Sequence, residues 1–259
     1  MIDSLTIVVP LLAVVVLAGA VNGLAGFGFA VVATMALATV VDPASAVVFM
    51  IVPILGVNLS LVGELSGEQL RTCGRRFGPL LIAALSGMLV GMVALDALPD
   101  APLRIGLGLV TLAFVGSLQR AVSFPALGRA KEACFVESTG GMAGVGLVSG
   151  VLFGATNVGV QLVAYLKSCD LSHGLFVGVT AMIFLGLNGI RVAAAGALGI
   201  YPDSVVFLAS VAATLPAVAG VLIGKRLRHR IDKSLRRQFV LALLTIIGTR
   251  LLLGGVGVA

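Results

Sequence analysis

Charge is scarce in this sequence. Asp, Glu, Lys and Arg make up 11% of the 259 residues, and none of them falls between Leu5 and Val41. A water-soluble domain carries about 25% charged residues. A chain that is 59% hydrophobic, with a mean hydropathy of +1.17, has more apolar surface than a soluble core can hide. It is therefore read as an all-α, polytopic integral membrane protein. Acid is the rarer sign, with 11 Asp and Glu against 17 Lys and Arg, and no acidic residue stands well inside an apolar segment. That absence argues against a cation carrier and against a proton relay of buried carboxylates. Cys73, Cys134 and Cys169 are odd in number and share no CxxC or Cys/His spacing, so neither a disulfide framework nor a zinc site is expected. HExxH, GxSxG and paired membrane aspartates are missing, and Gly26-Phe27-Gly28 lacks the third glycine of a dinucleotide fingerprint. No cofactor, metal or catalytic residue is expected. The class set against transport is an intramembrane enzyme or a membrane assembly factor.

What is present is a succession of apolar segments. Cutting at charges and at Pro/Gly punctuation gives 5–41, 43–63, 77–95 and 102–118, then a second series at 140–166, 172–199, 204–224 and 239–253. Most approach the ~20 residues that a spanning helix needs. The first member of each series is too long for one crossing and is interrupted by glycines. Asp3 stands where a secretory signal would carry Lys or Arg, so the first run is expected to remain in the mature chain.

The two series resemble each other in order. Leu55-Gly-Val-Asn58 recurs as Leu185-Gly-Leu-Asn188, Gly87-Met-Leu-Val-Gly91 as Gly220-Val-Leu-Ile-Gly224, and Leu103-Arg104 as Leu235-Arg236. Pairing Gly26 with Gly154 puts Asn58 and Asn188 at similar distances, 32 and 34 residues on. Four landmarks in one order indicate duplication. Residues 1–120 form the first repeat, 121–138 a cytoplasmic linker and 139–259 the second repeat. The loop from Glu64 to Arg76 is basic where its counterpart at 200–203 is not, and the next pair reverses this. Residues 96–100 carry no basic residue, whereas seven stand between Lys225 and Arg237. The net charge of +6 thus reflects the positive-inside rule and not a nucleic-acid partner. With basic loops in the cytoplasm, the repeats are inverted. Each then comprises a glycine-broken hairpin plus three transmembrane helices, with both termini outside the inner membrane.

The breaks draw the site residues. A hairpin tip frees backbone N–H and C=O groups that hydrocarbon does not tolerate, so the tip must face protein or a water-filled cavity. In the first half Asn22, Gly23, Gly26, Phe27 and Gly28 form the tip; in the second Ser149, Gly150, Phe153, Gly154, Thr156 and Asn157 do. Each tip starts a new helix, whose free N–H donors suit an anion. Two opposed tips are expected to make one midplane site, with Asn58 and Asn188 lining it. Arg191 is the one basic residue well inside an apolar segment, a turn beyond Asn188. It marks either an anion site or a side chain that snorkels to the outer interface.

The glycine-broken hairpins, Gly23-Leu-Ala-Gly-Phe-Gly28 and Ser149-Gly-Val-Leu-Phe-Gly154, the Asn188-Gly-Ile-Arg191 stretch and the duplicated layout resemble the TauE/SafE sulfite exporter family, also called the toluenesulfonate uptake permeases. The resemblance covers essentially the whole chain. It departs at Phe29-Ala30 and at Ala155-Thr156-Asn157, where the family usually continues in glycine. The resemblance implies transport of a small sulfur-containing or organic anion such as sulfite, a sulfonate or sulfoacetate. The expected partners are that anion and the lipid bilayer, joined by a proton or sodium ion if the direction is uptake.

Overall fold

The computed structural model describes residues 2–97, 99–118, 138–169, 171–197, 199, 204–228 and 230–257. The linker expected at 121–138, all but Ser138, and Cys134 lie outside these residues. The described residues are helical and contain no strand. In chain order the helices are α1 (Ile2–Ala25), α2 (Phe29–Leu37), α3 (Pro43–Phe49), α4 (Ile51–Val62), α5 (Gly67–Arg76), α6 (Gly78–Ala97) and α7 (Asp100–Leu118). The second half follows as α8 (Thr139–Thr156), α9 (Val160–Ser168), α10 (His173–Ala197), α11 (Ser204–Leu227) and α12 (Lys233–Gly255). Among the described residues, four spans are long and apolar enough to cross a membrane, 43–62, 139–156, 174–197 and 204–227, and a fifth if α5 and α6, bent by 68°, count as one. The chain is an all-α polytopic membrane protein.

Each long first segment breaks where the glycines interrupt it. Gly26 ends α1 in the left-handed region at φ 81°, with its N–H on the Asn22 carbonyl at 2.7 Å. Gly28, at φ 108°, precedes α2 and has no side chain to cap it. The Asn22 side chain supplies that cap from the preceding helix, its Oδ1 accepting from the Phe29 N–H at 3.3 Å. In the second half Asn157 takes the left-handed role at φ 59°, its N–H on the Phe153 carbonyl at 2.9 Å. Asn is among the few residues with a side chain that enter this region at little cost. The backbone thus matches Gly26 to Asn157 and not to Gly154. This register is also tighter, Asn58 following by 32 residues and Asn188 by 31. Both second legs, α2 and α9, have nine residues. At ~1.5 Å per residue they are too short to span a bilayer alone.

The stretch from Glu64 to Arg76, expected as a loop, is largely helix α5. Its signal is a capping box: Ser66 Oγ accepts from the Gln69 N–H at 3.2 Å, and Gln69 Oε1 accepts from the Ser66 N–H at 3.0 Å. Only Cys73 of this helix is buried, so the charged face of α5 is exposed. A second local difference divides the 43–63 span at Met50. Pro53 has no N–H to give the Phe49 carbonyl. That carbonyl is taken instead by Ser210 Oγ of α11 at 2.5 Å.

Glycine stripes join the halves. Gly19 and Gly23 of α1 lie against the backbone of Ala217, Val221 and Gly224 on α11. Gly146, Gly150 and Gly154 of α8 lie in the same sense against Leu80, Ala84 and Met88 on α6, while Gly87 and Gly91 of α6 receive Leu147 and Val151. Both pairs run parallel. A Cβ at any of these positions would strike a backbone carbonyl, so the stripes are close-packing surfaces of the small-xxx-small kind. Helix α4 packs on α10, and α7 on α12. Exchanging the halves, with α1 for α8 and α11 for α6, converts each pairing into its counterpart.

Candidate functional site

Along one face of α10, Thr180, Phe184, Asn188 and Arg191 follow at helical spacing, and this face meets the α8 break. The Phe184 ring stacks on Phe153 with centroids 5.2 Å apart. Arg191 is fully buried at 0% exposure, so it does not snorkel. Its guanidinium lies 5.3 Å from the Phe153 ring centroid and donates from Nη1 to the Phe153 carbonyl at 3.3 Å and from Nη2 to the Gly154 carbonyl at 2.6 Å. Nη1 also donates to Asn157 Oδ1. The last carbonyls of a helix have no partner within it and carry the negative end of its dipole. The break in α8 therefore creates the acceptors that hold a cation inside an apolar bundle.

Asn157 extends this contact into the first half. Its Nδ2 donates to Thr34 Oγ1 on α2 at 3.0 Å and to the Val47 carbonyl on α3 at 2.9 Å. Thr156 Oγ1 donates to the Leu152 carbonyl at 2.5 Å and accepts from the Val158 N–H at 3.2 Å, which satisfies a donor freed by the break. One fully buried asparagine thus links α8, α10, α2 and α3. Asn188, one turn away, donates to the Phe184 carbonyl at 2.8 Å, and its buried Oδ1 has no partner. Ser149 Oγ and Thr180 Oγ1 are also buried without a partner. These groups remain open to a ligand or to water.

Of the residues expected at the site, Phe153, Gly154, Asn157 and Arg191 come together, with Ser149 and Thr156 on the same helix and Asn188 beside them. Gly150 is a packing residue against Ala84. The first-half residues are elsewhere. Phe27 stacks edge-on against Phe176, near the start of α10, with centroids 6.3 Å apart. Gly23 packs beside Gly224 and Lys225, close to the end of α11. Asn22 caps α2, and Asn58 donates to the Ile54 carbonyl at 2.7 Å, as Asn188 does to Phe184. Phe176 and Phe184, the ring partners of Phe27 and Phe153, stand eight residues apart on α10, about 12 Å at ~1.5 Å per residue. The two tips thus lie along the same helix, and Asn157 joins the second tip to Thr34 in the second leg of the first hairpin.

Three polar contacts were not legible beforehand. Arg104 donates from Nη1 to the Ala38 carbonyl at 3.0 Å and from Nη2 to the Val41 carbonyl at 3.1 Å, closing the end of α2. Arg228 donates from Nε to the Gly23 carbonyl at 3.2 Å, in the last turn of α1. Lys225 Nζ pairs with Glu64 Oε1 at 3.1 Å, tying α11 to the end of α4. The only available signal for Arg228 and Lys225 was a basic loop, which the positive-inside rule already explains.

The site is a buried cation on a broken helix, inside a helical bundle with spans of membrane length. No curated protein and no solved structure matches the chain. The family model Sulfite exporter TauE/SafE matches residues 11–251, so the chain belongs to the sulfite exporter TauE/SafE family of membrane transporters.

Proposed function

We propose that this chain exports a small sulfur-containing or organic anion, such as sulfite, a sulfonate or sulfoacetate, across the inner membrane by alternating access. The observation that carries the reading is Arg191, a guanidinium buried at the α8 break. Its Nη groups donate to the Phe153 and Gly154 carbonyls and to the Asn157 side chain. An incoming oxyanion is a stronger acceptor than a neutral carbonyl, because it brings a full negative charge and two oxygens that match the guanidinium fork. Taking over those donors, the anion would free the α8 end and, through Asn157, alter the contact of α8 with α2 and α3. Binding and movement of the hairpin are then one event. The exchange of packing partners between the halves supports two inverted copies that rock against each other. Basic loops on one side support a cytoplasmic 64–76 segment and 225–237 loop, with both termini outside.

The membrane potential acts on the carried charge at about 2.3 kcal/mol per 100 mV. A negative interior therefore drives an uncoupled anion outward, and uptake would require a coupled proton or sodium ion. The test is sulfite flux into vesicles containing only this protein under an imposed potential. Saturable flux that follows the voltage is expected. Flux absent with folded protein present would return the chain to the enzyme or assembly-factor class. Flux indifferent to voltage would exclude simple carriage of a charged anion.

A further inference from the structure

We infer that Arg228 forms a second oxyanion site, at the break of α1, where substrate first meets the protein from the side of the 225–237 loop. The inference rests on the transport reading and adds to it a residue and a location. Arg228 immediately follows α11, and its Nε donates to the Gly23 carbonyl. Gly23 and Gly154 are counterparts in packing: each is the last glycine of its helix stripe, set against Val221 of α11 or Met88 of α6. Arg191 holds the Gly154 carbonyl and Arg228 the Gly23 carbonyl. Two arginines, both from the second half, thus hold the equivalent carbonyls of the two breaks.

They differ in what is left over. The Nη2 of Arg228 is buried and has no hydrogen-bond partner. Buried donors are almost always satisfied, and a guanidinium donor left without an acceptor carries a desolvation penalty that an anion would remove. Among the described residues Arg228 forms no ion pair, whereas the charge of Lys225, three residues earlier, is matched by Glu64. The guanidinium is held in place through Nε while Nη2 keeps a donor for an oxygen of a sulfite or sulfonate group. Planar and rigid, guanidinium suits oxyanions of this kind. The α1 break lies about 12 Å along α10 from the α8 break, so the two sites can load in succession. A phospholipid headgroup presents the same oxyanion chemistry, and the test separates the two sources.

Full-length protein is reconstituted in phosphatidylcholine vesicles, with and without phosphatidylglycerol, and sulfite is presented to one face at a time. Arg228→Gln, Arg228→Lys and, as a control in the exposed last turn of α11, Arg226→Gln are compared with the unaltered chain. Sulfite binding by each purified chain is measured in parallel. At the face carrying the 225–237 loop, Arg228→Gln is expected to raise the half-saturating sulfite concentration about tenfold, with Arg228→Lys intermediate. The opposite face and Arg226→Gln stay within about twofold. Equal changes at both faces, or none at either while flux persists, overturn the site and leave Arg228 as a helix cap. An effect confined to vesicles with phosphatidylglycerol assigns Nη2 to lipid phosphate and overturns it as well. Should Arg228→Gln fail to fold, an Arg228→Lys affinity equal to that of the unaltered chain at both faces overturns it too. Sulfite binding that depends on Arg228 without any flux sinks the transport reading alone.

Discussion

An arginine at the centre of a spanning helix costs about 2.5–3.5 kcal/mol even on the mildest scale. Arg191, six residues before the end of α10, is held inside the bundle because the end of α8 offers the Gly154 carbonyl, the Phe153 carbonyl beside it and a dipole end of opposite sign. This leaves two roles to distinguish, an anion site or a cap that stabilises the α8 break. If substrate meets the guanidinium, Arg191→Gln raises the KM for sulfite about tenfold to a hundredfold. Arg191→Lys, keeping the charge but losing the planar fork, raises it less. If the residue only caps α8, both variants lower the unfolding temperature in detergent and leave KM within about twofold. Sulfite flux and thermal unfolding on the same preparations decide between the two.

At the scale of elements, glycines serve two separate purposes that the sequence presents alike. Gly154 is there because Met88 backbone occupies the space of its missing side chain; Gly26 is there because the chain must turn left-handed. Gly154→Leu is expected to separate α8 from α6 and abolish flux, most of it through loss of folded protein. Gly106→Leu, with open space around its Cα, should retain flux. Gly248 is no neutral control, since Leu112 and Thr111 pack against it. The left-handed turn makes a sharper distinction. Gly26→Asn should be tolerated, because Asn157 adopts that conformation at the matching break, whereas Gly26→Leu bears a strain of roughly 1–2 kcal/mol. Equal flux in Gly26→Asn and Gly26→Leu would remove the backbone argument.

At the scale of the molecule, the parallel pairs α1 with α11 and α6 with α8 each bring one helix of the first half against one of the second. The halves are thereby interleaved and cannot be taken as two independent bundles. On the proposed alternating-access mechanism, movement between them would run along the glycine stripes, where backbone meets backbone. The proposed inversion of the halves makes a topological prediction. In a variant without native cysteines, Arg226→Cys should react with a membrane-impermeant thiol reagent only after cells are permeabilised, and Ser204→Cys should react in intact cells. Both side chains are exposed in the fold. Labelling of both from the same side would overturn the inversion of the two halves.

The sequence by itself determined what the bilayer enforces locally. Hydropathy placed the spans because every apolar helix must meet the same solvent, and clustered glycines marked the breaks because no other residues permit them so readily. It also singled out Arg191 and Asn157, since a cation and an amide inside apolar runs demand an explanation. The Ser66–Gln69 capping box was written in the chain too, but charge masked it as a loop. Only the tertiary structure decided which partner each polar group meets. Arg191 reaches Gly154 across 37 residues of sequence, Asn157 reaches Thr34 across 123, and Arg228 reaches Gly23 across 205. No local pattern encodes such pairings, because they follow from how far each helix runs before it breaks and which neighbour lies beside it. The same lengths set the two tips about two turns apart along α10, Phe27 at Phe176 and Phe153 at Phe184.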